Sequence, residues 1–291
     1  MRWLSPRGGR GPGCARSEGM LDNDGTLGVL GCGTVGEAIV RGLIRSGSLA
    51  PARLSVSTRR TEAAEALAAK HGVRATVDNL SVAREASAVL VSLKPQQLQG
   101  VLDAEEMRAA LRGKLVLSTA AGVRLEQIRR WLPESPLIRA MPNTPCTIGE
   151  GMTIVSRGPL ATDAHVRTAV RLFQTVGRCI ELEEKSMDVV TALNSSGPAF
   201  AYLIIEALAE GGVMMGLRRD VAMEIAAQML HGSARMVLQT GMHPAALKDQ
   251  VTTPAGCTIA GLLTLEDGRI RSVLARAVEE ATRVASRLGQ S

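Results

Sequence analysis

Residues 26–36 read Thr-Leu-Gly-Val-Leu-Gly-Cys-Gly-Thr-Val-Gly, so a short apolar segment runs directly into a Gly-x-Gly-x-x-Gly motif. Apolar residues then recur with helical spacing over 35–46, and Gly47 marks the end of that helix. A strand, a glycine turn and a helix in this order bind the diphosphate of a dinucleotide, because the turn brings the anion to the free amides of the helix. The motif therefore predicts a cofactor-binding turn formed by Gly31, Cys32, Gly33, Thr34, Val35 and Gly36. An ordinary glycine-rich turn is the alternative.

The same alternation of apolar strands and helical stretches continues through the first half of the chain and predicts a parallel sheet covered by helices. We predict strands at 26–30, 54–57, 88–93, 115–118 and 137–140, with closing strands at 151–155 and 178–182. Between them we predict helices at 35–46, at 61–71 with Thr61 as a possible cap, and at 164–176.

After Glu184 the strand signal stops, and helical periodicity covers 187–194, 199–215, 220–239, 244–252 and 269–288. The predicted fold class is therefore α/β plus all-α, with an N-terminal Rossmann-type doubly wound sheet followed by a helical dimerisation domain. We place a leader at 1–25, the dinucleotide-binding domain at 26–183 and the helical domain at 184–291. The later helices are so rich in Ala, Met and Leu that they need a second partner surface, which predicts an intertwined homodimer and allows a larger assembly.

Composition excludes several classes of function. Only 2% of the residues are aromatic, which argues against nucleic-acid binding by stacking, and half of the net charge of +6 lies in the first nineteen residues. The five cysteines form no C-x-x-C pair, so we expect neither a metal site nor a disulfide framework. We expect instead a reducing, cytoplasmic location. Charged residues or glycines interrupt each long apolar run, so we expect a soluble protein with no membrane span.

Residues 1–25 are rich in Gly, Arg and Pro and show no apolar periodicity, which predicts a disordered leader. An incorrectly assigned start upstream of Met20 gives the same pattern. A targeting peptide is the other alternative, although Gly and Pro oppose the amphipathic helix that such a peptide needs.

The end of the second predicted strand indicates which cofactor is bound. NAD enzymes carry an acidic residue there for the ribose hydroxyl, whereas this chain has Ser57, Thr58, Arg59 and Arg60. Guanidinium groups and hydroxyls suit a 2′-phosphate, so we predict NADPH, with NADH possible. A solvated arginine pair at a helix start is the alternative.

Other candidate cofactor residues follow later strands, at the sheet edge where ligands of doubly wound folds bind. Lys94 and Pro95 follow one strand, and the small residues around Ala120, which leave room for a nicotinamide ring, follow the next. Asn143 lies in a loop between Pro142 and Pro145, and its amide can both donate and accept. It could orient the nicotinamide or substrate, or cap a turn.

Two helix starts in the second half predict a site for a small carboxylate. One contains Ser195 and Ser196 before Pro198, and the other spans 252–258. Hydroxyls and free amides at such starts bind anions, although each alone is equally a cap. These segments hold no His, Cys or carboxylate constellation, so metal or nucleophilic catalysis has little support. The reduction of a cyclic imine is compatible with them, because a protonated imine needs positioning and a hydroxyl donor more than a strong acid.

These motifs resemble those of the pyrroline-5-carboxylate reductase family, from about residue 26 to residue 288. The most specific segments are Met141-Pro-Asn-Thr-Pro145 and Asp249-Gln-Val-Thr-Thr-Pro-Ala-Gly-Cys-Thr-Ile259. The resemblance implies reduction of 1-pyrroline-5-carboxylate to L-proline by NAD(P)H, the last step of proline biosynthesis. It also implies dimers, often assembled into rings, with the active site where the two domains of neighbouring subunits meet.

By the same resemblance, Thr258 hydrogen-bonds the imine nitrogen, and the substrate carboxylate is held by Val251, Thr253, Gly256 and Cys257. Residues 57–60, Lys94, Ala120 and Asn143 match cofactor positions. The chain departs from the family at two glycines: the family's Ser-Gly-Ser-Gly-Pro is Asn194-Ser-Ser-Gly-Pro198 here, and its Pro-Gly-Gly-Thr-Thr is Pro254-Ala-Gly-Cys-Thr258. Both replacements require a backbone that avoids positive φ.

Three other functions are compatible with parts of the pattern. An imine reductase of the same fold that acts on another small cyclic imine acid is the main alternative. A hydroxyacid dehydrogenase would need a lysine on the long helix after the substrate loop, and a non-catalytic NADP sensor need not keep Asn143 and Thr258.

Overall fold

The computed structural model describes residues 25–288. Apart from Gly25, the predicted leader lies outside the described residues, and so do residues 289–291. The predicted fold class is confirmed, because a mainly parallel sheet flanked by helices precedes a helical region.

Eight strands form one sheet in the spatial order β3-β2-β1-β4-β5-β6-β7-β8. Neighbouring strands are parallel except for the antiparallel pair β6 and β7. The order reverses between β1 and β4, which is the switch point where such folds bind dinucleotides. The strands are β1 (Leu27–Leu30), β2 (Leu54–Ser57), β3 (Arg74–Thr76), β4 (Ala88–Val91), β5 (Leu115–Ser118), β6 (Leu137–Met141), β7 (Gly151–Arg157) and β8 (Gly177–Glu181).

Helices cover both faces of the sheet, so the central strands are apolar at successive positions. Val29 and Leu90 pack into one buried cluster, while Leu30 and Val89 pack into the other, because successive side chains point to opposite faces. The helices of this half are α1 (Thr34–Arg45), α2 (Thr61–His71), α3 (Asn79–Glu85), α4 (Pro95–Leu102), α5 (Glu105–Leu111), α6 (Leu125–Trp131) and α7 (Asp163–Gln174).

The helical half follows β8. Its helices are α8 (Met187–Val190), α9 (Gly197–Met214), α10 (Arg219–Thr240), α11 (Pro244–Gln250), α12 (Cys257–Asp267) and α13 (Ile270–Leu288). Helix α9 is apolar, yet Ala209 is its only buried residue. The helical stretch Glu184–Met214 has the length and hydropathy of a membrane span, and 6% of its most apolar 18-residue window is buried. Charged residues interrupt this stretch, as expected from the sequence, and the absence of a membrane span stays a prediction.

Local details differ from the sequence predictions where side-chain chemistry or packing overrides propensity. Thr61 is the first residue of α2 and Arg60 occupies its N-cap, so the predicted cap is wrong. The strand predicted to reach residue 93 ends at Val91, and the helix predicted over 187–194 becomes a π-helix at Thr191–Ser195. Strand β3 and helices α3 to α6 are short, and the periodicity did not reveal them.

Candidate functional site

The glycine turn joins β1 to α1 at the switch point of the sheet. Gly31 has φ 76°, and a Cβ there would lie 2.6 Å from Leu93 Cδ2, so this position needs glycine. At Gly33 no atom of residues 25–288 lies within 4 Å of the place a Cβ would take, which leaves open space. The first amides of the twelve-residue helix α1 face this space without intrahelical acceptors. The turn therefore fits a dinucleotide diphosphate.

Ser57 has a different environment from the residues that follow it. Its side chain is fully buried, and its hydroxyl donates to Asn79 Oδ1 at 2.6 Å and accepts from the Gly31 amide at 3.3 Å. The Ser57 carbonyl also accepts from the Cys32 amide at 2.7 Å. The Ser57 side chain therefore supports the glycine turn, and its contact with the cofactor stays a prediction.

Thr58, Arg59 and Arg60 lie beside the turn at the end of β2. Arg59 and Arg60 are exposed, and within residues 25–288 neither forms an ion pair. The two guanidinium groups are therefore available to a ligand phosphate, whose planar oxygen pairs suit arginine.

Glu37 introduces a negative charge in the first turn of α1, where an anionic ligand would be repelled. Its carboxylate is 2.8 Å from Lys70 Nζ and 3.0 Å from His71 Nε2. Hydrogen bonds from Lys70 and then His71 lower the pKa of Glu37. This pairing offsets the charge of the carboxylate close to the turn.

Cys32 lies within the turn but is not a nucleophile. Burial, with a smaller contribution from Glu37, raises the pKa of its thiol to about 12. The side chain is 7% exposed and packs in the core beneath the turn. Cys32 therefore stays a protonated, apolar packing residue at physiological pH.

The remaining candidate cofactor residues of this domain follow β4 and β5. Lys94 is an exposed N-cap residue and Pro95 is the first residue of α4. Ala120 is buried, and the amide of its neighbour Thr119 donates to the Val91 carbonyl at 3.0 Å. The parallel strands thus bring these loops and the glycine turn to one edge of the sheet.

Asn143 follows β6, and hydrogen bonds to other residues of the chain hold its side-chain amide. Its Oδ1 accepts from the Met152 amide at 2.9 Å, and its Nδ2 donates to Asn194 Oδ1 at 3.1 Å. Both parts of the amide therefore have an internal partner, and one Nδ2 hydrogen remains for a ligand.

The first helix start of the helical half contains Ser195 and Ser196. Ser195 closes the π-helix, and its buried Oγ has no hydrogen-bond partner among residues 25–288. Ser196 is the N-cap of α9 at φ −87°, and its side chain makes no cap hydrogen bond. Ser195 meets the backbone condition for replacing a glycine, because its φ is not positive.

The second start is the loop between α11 and α12. Its predicted substrate residues Val251, Thr253, Gly256, Cys257 and Thr258 are exposed or half-buried. The Gly256 amide donates to the Thr253 carbonyl at 3.1 Å, and a Cβ on Gly256 would lie 2.4 Å from Thr253 Oγ1. The loop is therefore closed tightly around its glycine.

Two residues of this loop stand out. Thr258 lies in the first turn of α12, and its hydroxyl has no hydrogen-bond partner in the part of the chain that is described. Ala255 has φ 54°, so the second glycine replacement does not meet the expected backbone condition. A left-handed alanine is strained by about 1–2 kcal/mol.

The two halves of the predicted site do not meet within one chain. Among residues 25–288, no hydrogen bond or ion pair joins residues 251–258 to the sheet domain. Helix α12 packs mainly on α13. A complete site that uses both Asn143 and Thr258 needs another arrangement of chains.

Three residues that support the site were missed by sequence reasoning. Asn79 anchors Ser57, Asn194 holds Asn143, and Arg139 donates from the strand before Asn143 to Glu184 at 3.2 Å. Asn79 is the first residue of α3, and Asn194 lies in the π-helix shortly before α9. From residue type alone, an Asn near a helix start is interpreted as a cap. Arg139 interrupts an apolar strand, and that charge within a buried pattern was the one available signal.

Comparisons with known proteins cover both domains. Residues 184–288 match a family model described as pyrroline-5-carboxylate reductase dimerisation, and residues 26–122 match one described as NADP oxidoreductase, coenzyme F420-dependent. A pyrroline-5-carboxylate reductase of Schizosaccharomyces pombe is 42% identical over 278 residues, covering 90% of this chain and 98% of that protein.

Solved structures give the same result. A pyrroline-5-carboxylate reductase from Coxiella burnetii superposes with a TM-score of 0.87 and 32% identity. The superposition covers 92% of this chain and 100% of that chain. The pyrroline carboxylate reductase of Plasmodium falciparum, solved with NADP bound, has a TM-score of 0.82 and 27% identity, covering 92% and 99%. The similarity thus extends over both domains and not only over the dinucleotide-binding half.

Proposed function

The chain belongs to the pyrroline-5-carboxylate reductase family and is an oxidoreductase of proline biosynthesis, and we propose that NADPH is its hydride donor in reducing 1-pyrroline-5-carboxylate to L-proline. The observation that carries the choice of cofactor is the pair Arg59 and Arg60, exposed and without ion pairs in the described chain, beside a glycine turn with open space. No acidic residue takes the place that a ribose hydroxyl would require.

The glycine turn and its neighbours bind and orient the cofactor. The α1 amides hold the diphosphate, Thr58, Arg59 and Arg60 hold the 2′-phosphate, and Lys94 and Ala120 line the path towards the nicotinamide. Bound NADPH supplies the hydride that adds to the imine carbon. Because an imine nitrogen protonated in solution already carries its proton, the chain need only position the ring and hold that N–H.

Thr258 is the residue we assign to the imine nitrogen. Its hydroxyl is uncommitted in the described chain and lies in the first turn of α12, where free amides also favour a carboxylate. The loop residues Val251, Thr253, Gly256 and Cys257 would hold that carboxylate, and Ser195 and Ser196 would add hydroxyls from the start of α9. The arrangement is suited to a small cyclic imine acid.

We propose that the site is completed by a second copy of the chain. Asn143 and Thr258 belong to different domains that share no polar contact at the 251–258 loop, and large apolar side chains of α9 and α10 are exposed. A homodimer formed through residues 184–288, the part that matches a dimerisation model, would cover that surface. Dimers could then associate into rings. The cytoplasmic location remains a further proposal, which fractionation of cells with an antibody to the chain would test.

The deciding experiment is steady-state oxidation of NADPH with 1-pyrroline-5-carboxylate, with L-proline identified as the product. We expect turnover with this five-membered ring and much less with its six-membered homologue. A folded protein by circular dichroism that oxidises no NADPH would contradict the proposal, and a preference for the larger ring would favour the imine-reductase alternative.

A further inference from the structure

Two asparagine side chains connect the cofactor loop to the start of the helical domain. Asn194, in the π-helix, donates through Nδ2 to the carbonyls of Met141 at 2.9 Å and Met152 at 3.0 Å. Its Oδ1 accepts from Asn143 Nδ2 at 3.1 Å. The pair therefore joins the end of β6, the start of β7 and the π-helix through one hydrogen-bonded unit.

The orientation of both amides follows from their fixed backbone partners. The Met152 amide can only donate, so the atom of Asn143 that faces it must be the oxygen. The carbonyls of Met141 and Met152 can only accept, so the atom of Asn194 that faces them must be the nitrogen. The remaining atoms then meet as a donor from Asn143 and an acceptor from Asn194. A flip of Asn143 would create two repulsive contacts, and a flip of Asn194 would create three.

This unit leaves a defined capacity for a ligand. Both Nδ2 hydrogens of Asn194 are used, whereas Asn143 keeps one Nδ2 hydrogen and one lone pair on Oδ1. The Asn143 amide is therefore held from two sides, by the Met152 amide of β7 and by Asn194, which lies 51 residues away at the start of the helical domain.

We propose that Asn194 is a positioning residue that fixes the amide of Asn143 so that its free N–H and lone pair are presented to the nicotinamide side of the site. The inference rests on the proposed function and on the assignment of Asn143 to the cofactor in the sequence analysis. A serine at this position would have a single hydroxyl hydrogen, which cannot reach two carbonyls while its oxygen accepts from Asn143. The longer amide makes all three contacts at once.

The test combines the Asn194→Asp and Asn143→Ala variants in a double-mutant cycle on the full chain. Asn194→Asp keeps the shape but replaces the donor nitrogen with an oxygen facing two carbonyls. We expect kcat to fall about 10- to 100-fold, while the Kd for NADPH from calorimetry changes less than about threefold. In the Asn143→Ala background, Asn194→Asp should lower kcat no further.

A variant that breaks a different contact between the same strand and domain serves as the matched control. Glu184→Gln removes the counter-charge of Arg139 without touching Asn143. The positioning role is wrong if Glu184→Gln lowers kcat as much as Asn194→Asp does for the same loss of thermal stability. It is also wrong if the decreases in kcat caused by Asn194→Asp and Asn143→Ala multiply in the double variant. Asn194→Ser is the second variant should Asn194→Asp fail to fold, and its kcat should fall less than tenfold with the same unchanged Kd. Absence of turnover by the parent chain would instead overturn the proposed function.

Discussion

At the scale of single residues, Thr258 tests the assignment of the residue that holds the imine nitrogen. We expect Thr258→Ala to lower kcat for imine reduction by about 10- to 100-fold, because the hydroxyl that holds the imine N–H is lost. NADPH affinity should stay nearly constant, since the cofactor residues lie in the other domain.

Two matched variants complete that test. Thr258→Ser keeps a hydroxyl and should retain most of the rate. Thr264→Ala, in the same helix, removes a hydroxyl that donates to the Ala260 carbonyl and should leave kcat unchanged. Equal losses in turnover and NADPH affinity for Thr258→Ala would show that the residue is misplaced.

Arg59 and Arg60 test the choice of cofactor. Replacing both with Ala should raise the KM for NADPH roughly ten- to hundredfold and spare NADH, because only the 2′-phosphate loses charge-assisted hydrogen bonds. Arg129→Ala, which removes an exposed guanidinium from α6, is the control and should change neither constant. A parallel loss of NADH use would mean that the pair supports the fold.

Ala255 carries a left-handed backbone in the substrate loop. Ala255→Gly should raise the free energy of unfolding by about 0.5–1 kcal/mol, because relief of the strain exceeds the extra entropy of glycine in the unfolded chain. The same change at exposed Ala260, inside α12, should lower it by about 1 kcal/mol. Denaturant unfolding measures both, and destabilisation by Ala255→Gly would show that the loop is not strained.

At the scale of elements, β6 is fastened to the helical domain by the Arg139–Glu184 pair. The Arg139 side chain is 2% exposed, and its Nε and Nη2 have no partner among residues 25–288, while Glu184 is 30% exposed and also accepts from the Leu125 amide at 2.7 Å. If the pair is broken, water can therefore hydrate the Glu184 carboxylate much more readily than the buried Arg139 guanidinium.

That asymmetry predicts unequal effects of the two single substitutions. Glu184→Gln should lower the free energy of unfolding by about 3 kcal/mol, because a buried guanidinium loses its counter-charge. Arg139→Met should cost about 1 kcal/mol, since water reaches the remaining carboxylate, and the double variant should match Arg139→Met. Chemical denaturation gives all three values, and an equal cost for both single variants would contradict the argument.

At the scale of the whole molecule, the exposed apolar surface of the helical half provides a test of the proposed assembly. Leu203 is 65% exposed on α9 and Ile225 is 54% exposed on α10. We expect light scattering of the parent chain, without detergent, to give at least a dimer. Replacing both residues with Glu should disrupt that assembly and abolish turnover while NADPH still binds, because each sheet domain keeps its own glycine turn.

Leu160→Glu is the matched control, since Leu160 is 50% exposed on the sheet domain and follows β7. It should leave mass and activity unchanged. An active parent monomer would refute the shared site. A parent chain that is soluble only in detergent would indicate that Glu184–Met214 contacts lipid.

The sequence by itself determined the fold class, the glycine turn and the candidate loops. Apolar periodicity and the spacing of the glycines are properties of short stretches of the sequence. The carboxyl ends of parallel strands lie at the same edge of a sheet, so the loops that follow them are brought together. The positions of Thr258 and of residues 57–60 beside their helices followed in the same way.

Only the tertiary structure decided which side chains are free and which are committed. The burial of Ser57, the pairing of Asn143 with Asn194 and the link from Arg139 to Glu184 depend on strand register and on how two domains pack. The sign of φ at Ala255 likewise depends on how the loop closes between two helices. Such contacts join residues far apart in the chain, and residue type alone cannot distinguish a cap from a ligand contact when both satisfy the same hydrogen-bonding groups.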